Sequence, residues 1–164
     1  MKKLLISISL ALLLVAAMAV PVMAEEASTT ASVTVTEVIS ISLSGPGTPN
    51  MTFGTVAIAP GTEDVEASGQ SAGTPAINVV VESGTNTNVD ISITGTATGS
   101  IDIGEWEYCT THDGTKVPLT GSYVEVYSDV GVASYAFYHW VDVPSDAPAG
   151  SQGCTIYYEA VAHS

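Results

Sequence analysis

The residue types that do chemistry are present in this chain but scattered. Three histidines, His112, His139 and His163, lie too far apart for the short ligand spacings of zinc or haem sites, so His139 reads as a strand histidine beside Trp140. Serine and threonine are abundant, yet no Gly-x-Ser-x-Gly elbow presents one as a nucleophile. Carboxylates gather in three places: Glu63-Asp64-x-Glu66, Glu105-x-Glu107, and Asp142 with Asp146. Such pairs suit acid–base work or calcium, a hard cation that takes oxygen donors from loops. No Asp-x-Asp-x-Asp-Gly loop accompanies them, and solvated surface charge is the simpler account. The sequence therefore reads as a non-enzyme with no cofactor, calcium being the one cation with candidate ligands.

Cys109 and Cys154, 45 positions apart, are the only cysteines. In an oxidising compartment two cysteines most simply form one disulfide, here tying the strand around Trp106 to the last strand; two free buried thiols are the alternative. Closing a loop of this size would stabilise by about 4 kcal/mol. Asn50-Met51-Thr52 is the only N-glycosylation sequon, beside a Gly/Pro turn where a glycan can be carried. The aromatics Trp106, Tyr123, Tyr127 and Trp140 suit stacking on sugar rings if exposed, and core filling if not.

The elements that must position these residues follow from composition. Of 164 residues 46% are hydrophobic, and 17 acids face 3 lysines, for a net charge of -14. A surface this acidic repels a polyanion, which excludes nucleic-acid binding. Lys2 and Lys3, an apolar run from Leu4 to Val20 and the small-residue site Val22-Met23-Ala24 form a secretory signal peptide, residues 1–24. An uncleaved membrane anchor is the rival, weakened by Ser7, Ser9 and Pro21. After cleavage Lys116 is the sole cation, a quarter of the residues are Ser or Thr, and no second apolar stretch is long enough to cross a bilayer. A secreted, extracellular or cell-surface protein is expected, with no stable membrane insertion.

No stretch repeats apolar residues at helical spacing. Alternation instead predicts eight or nine strands in one domain. Val33, Val35, Ile39, Ile41 and Leu43 share one face of a long first strand, and Met51 to Ile58 reads as a second. Ile77, Val79 and Val81 alternate, then Val89, Ile91 and Ile93, joined across Gly84-Thr85-Asn86-Thr87-Asn88 as a hairpin. Trp106 and Tyr108 precede His112-Asp113-Gly114, a tight-turn signal that tolerates positive φ. Tyr123 to Tyr127, Tyr135 to Asp142 and Cys154 to Ala162 complete an antiparallel two-layer sandwich of Greek-key, immunoglobulin-like or jelly-roll-like type. Residues 25–43 form an arm and 44–164 the sandwich domain.

Phe53-Gly54-Thr55-Val56, Pro60-Gly61-Thr62, the run Asn88 to Thr96, Val143-Pro144, Ala149-Gly150 and Thr155-Ile156 together resemble the pattern of secreted immunoglobulin-like sandwiches on archaeal and bacterial surfaces. More loosely the chain resembles subunits of extracellular fibres: archaeal threads, bundling pili and the camelysin-type matrix fibres of bacilli. The resemblance covers most of residues 51 to 162. It implies donor-strand complementation, in which the N-terminal strand of one subunit completes the sheet of the next, and the matching segment is Ala31 to Leu43.

Physical chemistry reaches the same segment separately. A sheet edge has unpaired backbone groups, and an added strand satisfies them while burying every second side chain. Five apolar residues at on the order of 1.5 to 3 kcal/mol each would hold a polymer. Folding back as a first strand of its own sandwich accounts for the segment equally. The sequence thus points to a secreted structural subunit of a cell-surface filament or layer, a homopolymer joined by Val33, Val35, Ile39, Ile41 and Leu43. The alternative is a monomeric surface binding or adhesion module for a glycan or protein ligand. Like-charge repulsion makes assembly salt-sensitive, although a saline habitat explains the acidity without any polymer.

Overall fold

The computed structural model describes residues 32–54 and 57–164. The signal segment expected at residues 1–24 and the start of the arm, 25–31, lie outside the described residues. One compact unit comprises Thr36–Ser164, and within it every strand pairing is antiparallel.

Among the described residues nine strands form: β1 (Ile41–Ser44), β2 (Val65–Glu66), β3 (Ile77–Val81), β4 (Val89–Ala97), β5 (Trp106–Cys109), β6 (Val117–Pro118), β7 (Val124–Val130), β8 (Ser134–Val141) and β9 (Cys154–Ala162). The larger sheet has six strands in the order β1-β3-β8-β5-β6, with β2 also paired to β8; the smaller has three, β7-β4-β9. The chain is all β and sandwich-like, because period-two alternation gives each sheet one apolar face and the two faces share a core. Ile77, Val79 and Val81 of β3, Val89, Ile91 and Ile93 of β4, and Phe137 and Val141 of β8 are all buried there. Each such side chain contributes about 1.5–3 kcal/mol.

The outer face of β8 is buried as well. Tyr138 and Trp140 pack with Cys109 of β5 in a second apolar cluster on the far side of the large sheet. This explains why Tyr135 to Val141 reads as apolar at nearly every position, where a strand with one wet face would alternate.

Three strand assignments differ from the sequence expectation. Ile77–Val81 and Val89–Ala97 do not form a hairpin: β3 pairs with β1 and β8, β4 with β7 and β9, and the intervening turn carries the chain from one sheet to the other. Met51 to Ile58 forms no strand among its described residues, only a bridge between Phe53 and Ala67. Of Val33 to Leu43, only Ile41–Ser44 joins the ladder, as β1 at the edge beside β3. The preceding residues are held by side chains and backbone together: Asn86 Oδ1 accepts from Val38 N, Asn86 Nδ2 donates to Thr36 O, Thr85 Oγ1 accepts from Ser40 N, and the Asn86 and Glu82 backbone N–H groups donate to the Val38 and Ser40 carbonyls.

Two glycines are dictated by space. Gly45 ends β1 at φ 114°, where a Cβ would lie 2.6 Å from the Ala76 carbonyl oxygen. Gly114 has no positive φ, so the tight-turn expectation for Asp113-Gly114 gives the wrong reason; a Cβ there would collide with Cys109 Sγ.

Candidate functional site

The two sheets are unequal, and the smaller cannot cover the larger. Along one flank the mismatch leaves a groove of about 1040 Å³. Its floor comes from the large sheet, with Ile77, Trp106 and Val141; one wall is β9, with Cys154, Ile156 and Tyr158; Phe53 and the turn through Asn50 form the other side. The wall strand alternates: Cys154, Ile156, Tyr158 and Ala160 are half-buried, and Thr155, Tyr157, Glu159 and Val161 are exposed. Of these inward residues Cys154, Ile156 and Tyr158 pack against the core and also line the groove, while Ala160 packs against the core alone.

β9 is also an edge. Its nine residues pair in unbroken register with β4, from Val89↔Ala162 to Ala97↔Cys154, and nothing pairs with its other side among the described strands. The other free edges suit a further strand less well. β1 has four residues, β6 has two and contains Pro118, and β7 is bulged, with Asp129 at φ 54°. A long regular edge beside an apolar groove is the geometry that accepts a strand.

The five residues expected to polymerise separate into two groups. Ile39 and Ile41 pack against the chain's own core, and Leu43 lies in β1 at the groove, 45% exposed. Val33 and Val35 are 87% and 74% exposed and belong to no strand. Asn50, the sequon residue, is exposed and lies on the groove wall.

The expected disulfide is not formed, and Cys109 and Cys154 are free thiols. On β5, Trp106 and Tyr108 enter the central core while Cys109 faces the outer cluster; Cys154 is on the inward face of the other sheet. The two thiols thus sit on opposite sides of the large sheet. Burial pushes the Cys154 thiol pKa up.

The fold draws one carboxylate from each of the three acidic pairs into one place. Asp64, Glu107 and Asp142 converge with oxygens within 4.8 Å of one another, and Asp142 Oδ1 accepts from the Asp64 backbone N–H at 2.6 Å. Burial and the neighbouring Asp142 raise the Glu107 pKa, against the pull of Lys116. That lysine, the one Lys or Arg beyond residue 3, pairs with Asp64 and lies 4.9 Å over the Trp140 ring. The cluster therefore carries its own counter-charge.

The histidines have separate structural partners. His163 Nδ1 contacts Asp90 Oδ1 at 2.8 Å, which raises the imidazole pKa, and Asp90 also accepts from the Asp129 N–H, which lowers its own. His112 sits between Asp113 and Glu66 against the Tyr138 ring, and the Asp113 contact raises its pKa. His139 is fully buried between the sheets, with Nε2 2.7 Å from the Tyr158 hydroxyl and Nδ1 unpartnered among the described residues; burial lowers its pKa to about 4. Burial pushes the Tyr158 hydroxyl pKa up. Of the four aromatics considered for sugar stacking, Trp106 and Trp140 are buried, Tyr127 is half-buried, and Tyr123 is exposed.

Compared with known families, curated proteins and solved structures, this chain matches none. None of these comparisons links it to fibre subunits, a resemblance read from turn and strand motifs.

Proposed function

We propose that the protein is a secreted structural subunit of a cell-surface filament or layer, with no enzymatic role, and that copies join by strand addition: the N-terminal arm of one copy seats on the free edge of β9 in the next. The observation that carries this is the pairing of the long β9 edge with the apolar groove beside it. A Greek-key, immunoglobulin-like arrangement belongs to the same proposal.

The occupant is argued from the same chain. Residues 25–35 extended at about 3.3 Å each span roughly 36 Å, more than β9 needs. Val33 and Val35 are exposed and belong to no strand. Ile39 and Ile41 are already engaged in the core, so the donor lies N-terminal to them and is shorter than the Ala31–Leu43 segment. Two valines contribute roughly 3–6 kcal/mol if buried, with ladder hydrogen bonds adding about 0.5–1.5 kcal/mol each. The sugar-stacking alternative has less support, because both tryptophans are buried.

The test is assembly of the full chain, followed by light scattering and negative-stain microscopy, with and without Val33→Asp and Val35→Asp. Both valines are exposed, so unfolding midpoints should agree within about 0.5 kcal/mol while polymers disappear. Wild-type chain that stays monomeric at high concentration, or a double variant that polymerises unchanged, overturns the proposal.

A further inference from the structure

The groove holds one polar group that its walls leave without a partner. Trp106 forms part of the floor and is 6% exposed, and its indole Nε1 has no hydrogen-bond partner among the described residues. Buried indole N–H groups ordinarily find an acceptor, and one left bare costs on the order of 1–3 kcal/mol. The ring is held in position. β5 pairs Trp106 opposite Val141 of β8, and Phe53 packs edge-on against the indole, with centroids 5.4 Å apart and planes at 75°. Of the groove side chains, Ile77, Ile101, Val141 and Val143 are hydrocarbon, and the polar ones, among them Asn50, Gln152 and Tyr158, make no hydrogen bond to this nitrogen.

We infer that Trp106 is the selective contact of the groove: the seated strand brings a main-chain carbonyl oxygen to its Nε1, so the groove reads a backbone acceptor as well as apolar shape. This rests on the proposal that the groove receives the arm of a second copy. An added strand gives half of its carbonyls to the β9 ladder, and the other half face away from β9. Those are acceptors in want of a donor, and Trp106 is a donor in want of an acceptor. A main-chain group fits better than a side chain. Strand alternation turns Ser32 and Thr34 away from the face that buries Val33 and Val35. The indole nitrogen is closed to water, so the groove must open as the strand enters. Phe53 is tied to the body by its bridge to Ala67 and by neighbouring hydrogen bonds from Ser68 to the Thr52 and Gly54 carbonyls.

The test uses ¹⁵N-labelled full chain carrying Val33→Asp and Val35→Asp, whose own arm does not compete, titrated with a synthetic wild-type peptide of residues 25–38. The indole N–H signals of Trp106 and Trp140 are told apart with Trp140→Phe. On binding, the Trp106 indole proton should move downfield, and Trp106→Phe should weaken the peptide about tenfold. If the peptide binds while the Trp106 signal stays in place, the inference is overturned and the strand-addition proposal stands. If the folded chain binds no peptide, both fall. The indole signal comes from the wild-type residue, so the result holds even if Trp106→Phe fails to fold.

Discussion

The two flanks of the small sheet end differently. On the β7 side aromatic groups close the core: Tyr127 packs on Tyr135 and Phe137 at 5.0 and 5.6 Å, and both tyrosine hydroxyls donate to carbonyls, of Ala136 and Gly131. On the β9 side Ile156 and Tyr158 are half-buried and line a groove, and the Trp106 N–H has no partner among the described residues. Both flanks draw on the same kinds of residue, so hydrophobicity does not separate them. What separates them is whether each polar tip finds a partner within the chain. A flank that satisfies its own polar groups is finished, and one that does not is fit to receive another strand.

The largest expected effect tests this contrast directly. Ile91, fully buried at the centre of β4, should cost about 2–5 kcal/mol on truncation to Ala, whereas Ile156→Ala on the open wall should cost less than half as much by denaturant unfolding. Equal losses would mean that the groove is closed in solution.

His139 comes next, since it links β8 to the open wall through Tyr158. Its pKa is lowered in the fold, so the unfolded chain takes up the proton first, and stability falls as pH drops from about 6.5 towards 4. The loss should total about 3 kcal/mol. His112 and His163 have raised pKa values and act in the opposite sense: their contribution is present at low pH and is lost as pH rises through their folded pKa. His139→Gln should flatten the acid limb of a melting curve recorded against pH; an unchanged slope would place the acid sensitivity elsewhere.

The smallest effect is one of access and leaves stability unchanged. Cys154 lies on the open wall and Cys109 is buried in the outer cluster. Without reductant, alkylation followed by mass measurement should modify Cys154 first in the native state and both thiols once the chain is unfolded. A native mass consistent with a disulfide would reverse the account of the two cysteines.

Much of the strand content was legible, because alternation survives wherever a strand has one wet face. The last strand was predicted over Cys154 to Ala162, and β9 occupies those residues. Partnership was less legible. Alternation records that a face is buried but not by what, so β3 and β4 look like a hairpin although they lie in different sheets. For the same reason the valines of the arm resemble Ile39 and Ile41, which the body's own core accepts. The disulfide expectation failed where parity was informative: Trp106 and Tyr108 are apolar and inward, so Cys109, one residue on, had to face the other way. The meeting of Asp64, Glu107 and Asp142 left no trace in sequence, since their proximity depends on how β2, β5 and β8 are ordered in the sheet.

The β4–β9 ladder also sets a timetable for folding. Its partners lie far apart in the chain, from 57 positions for Ala97↔Cys154 to 73 for Val89↔Ala162. Contacts this remote carry a large loop-closure cost and place the protein among slow folders. At roughly 5–20 residues per second, β4 leaves the ribosome about 3–15 s before β9 is there to pair with it. During that interval the most buried strand of the small sheet has an open edge. Its outward residues are Asp90, Ser92, Thr94 and Thr96. A charge and three hydroxyls make that nascent edge a poor template for aggregation until its partner is synthesised.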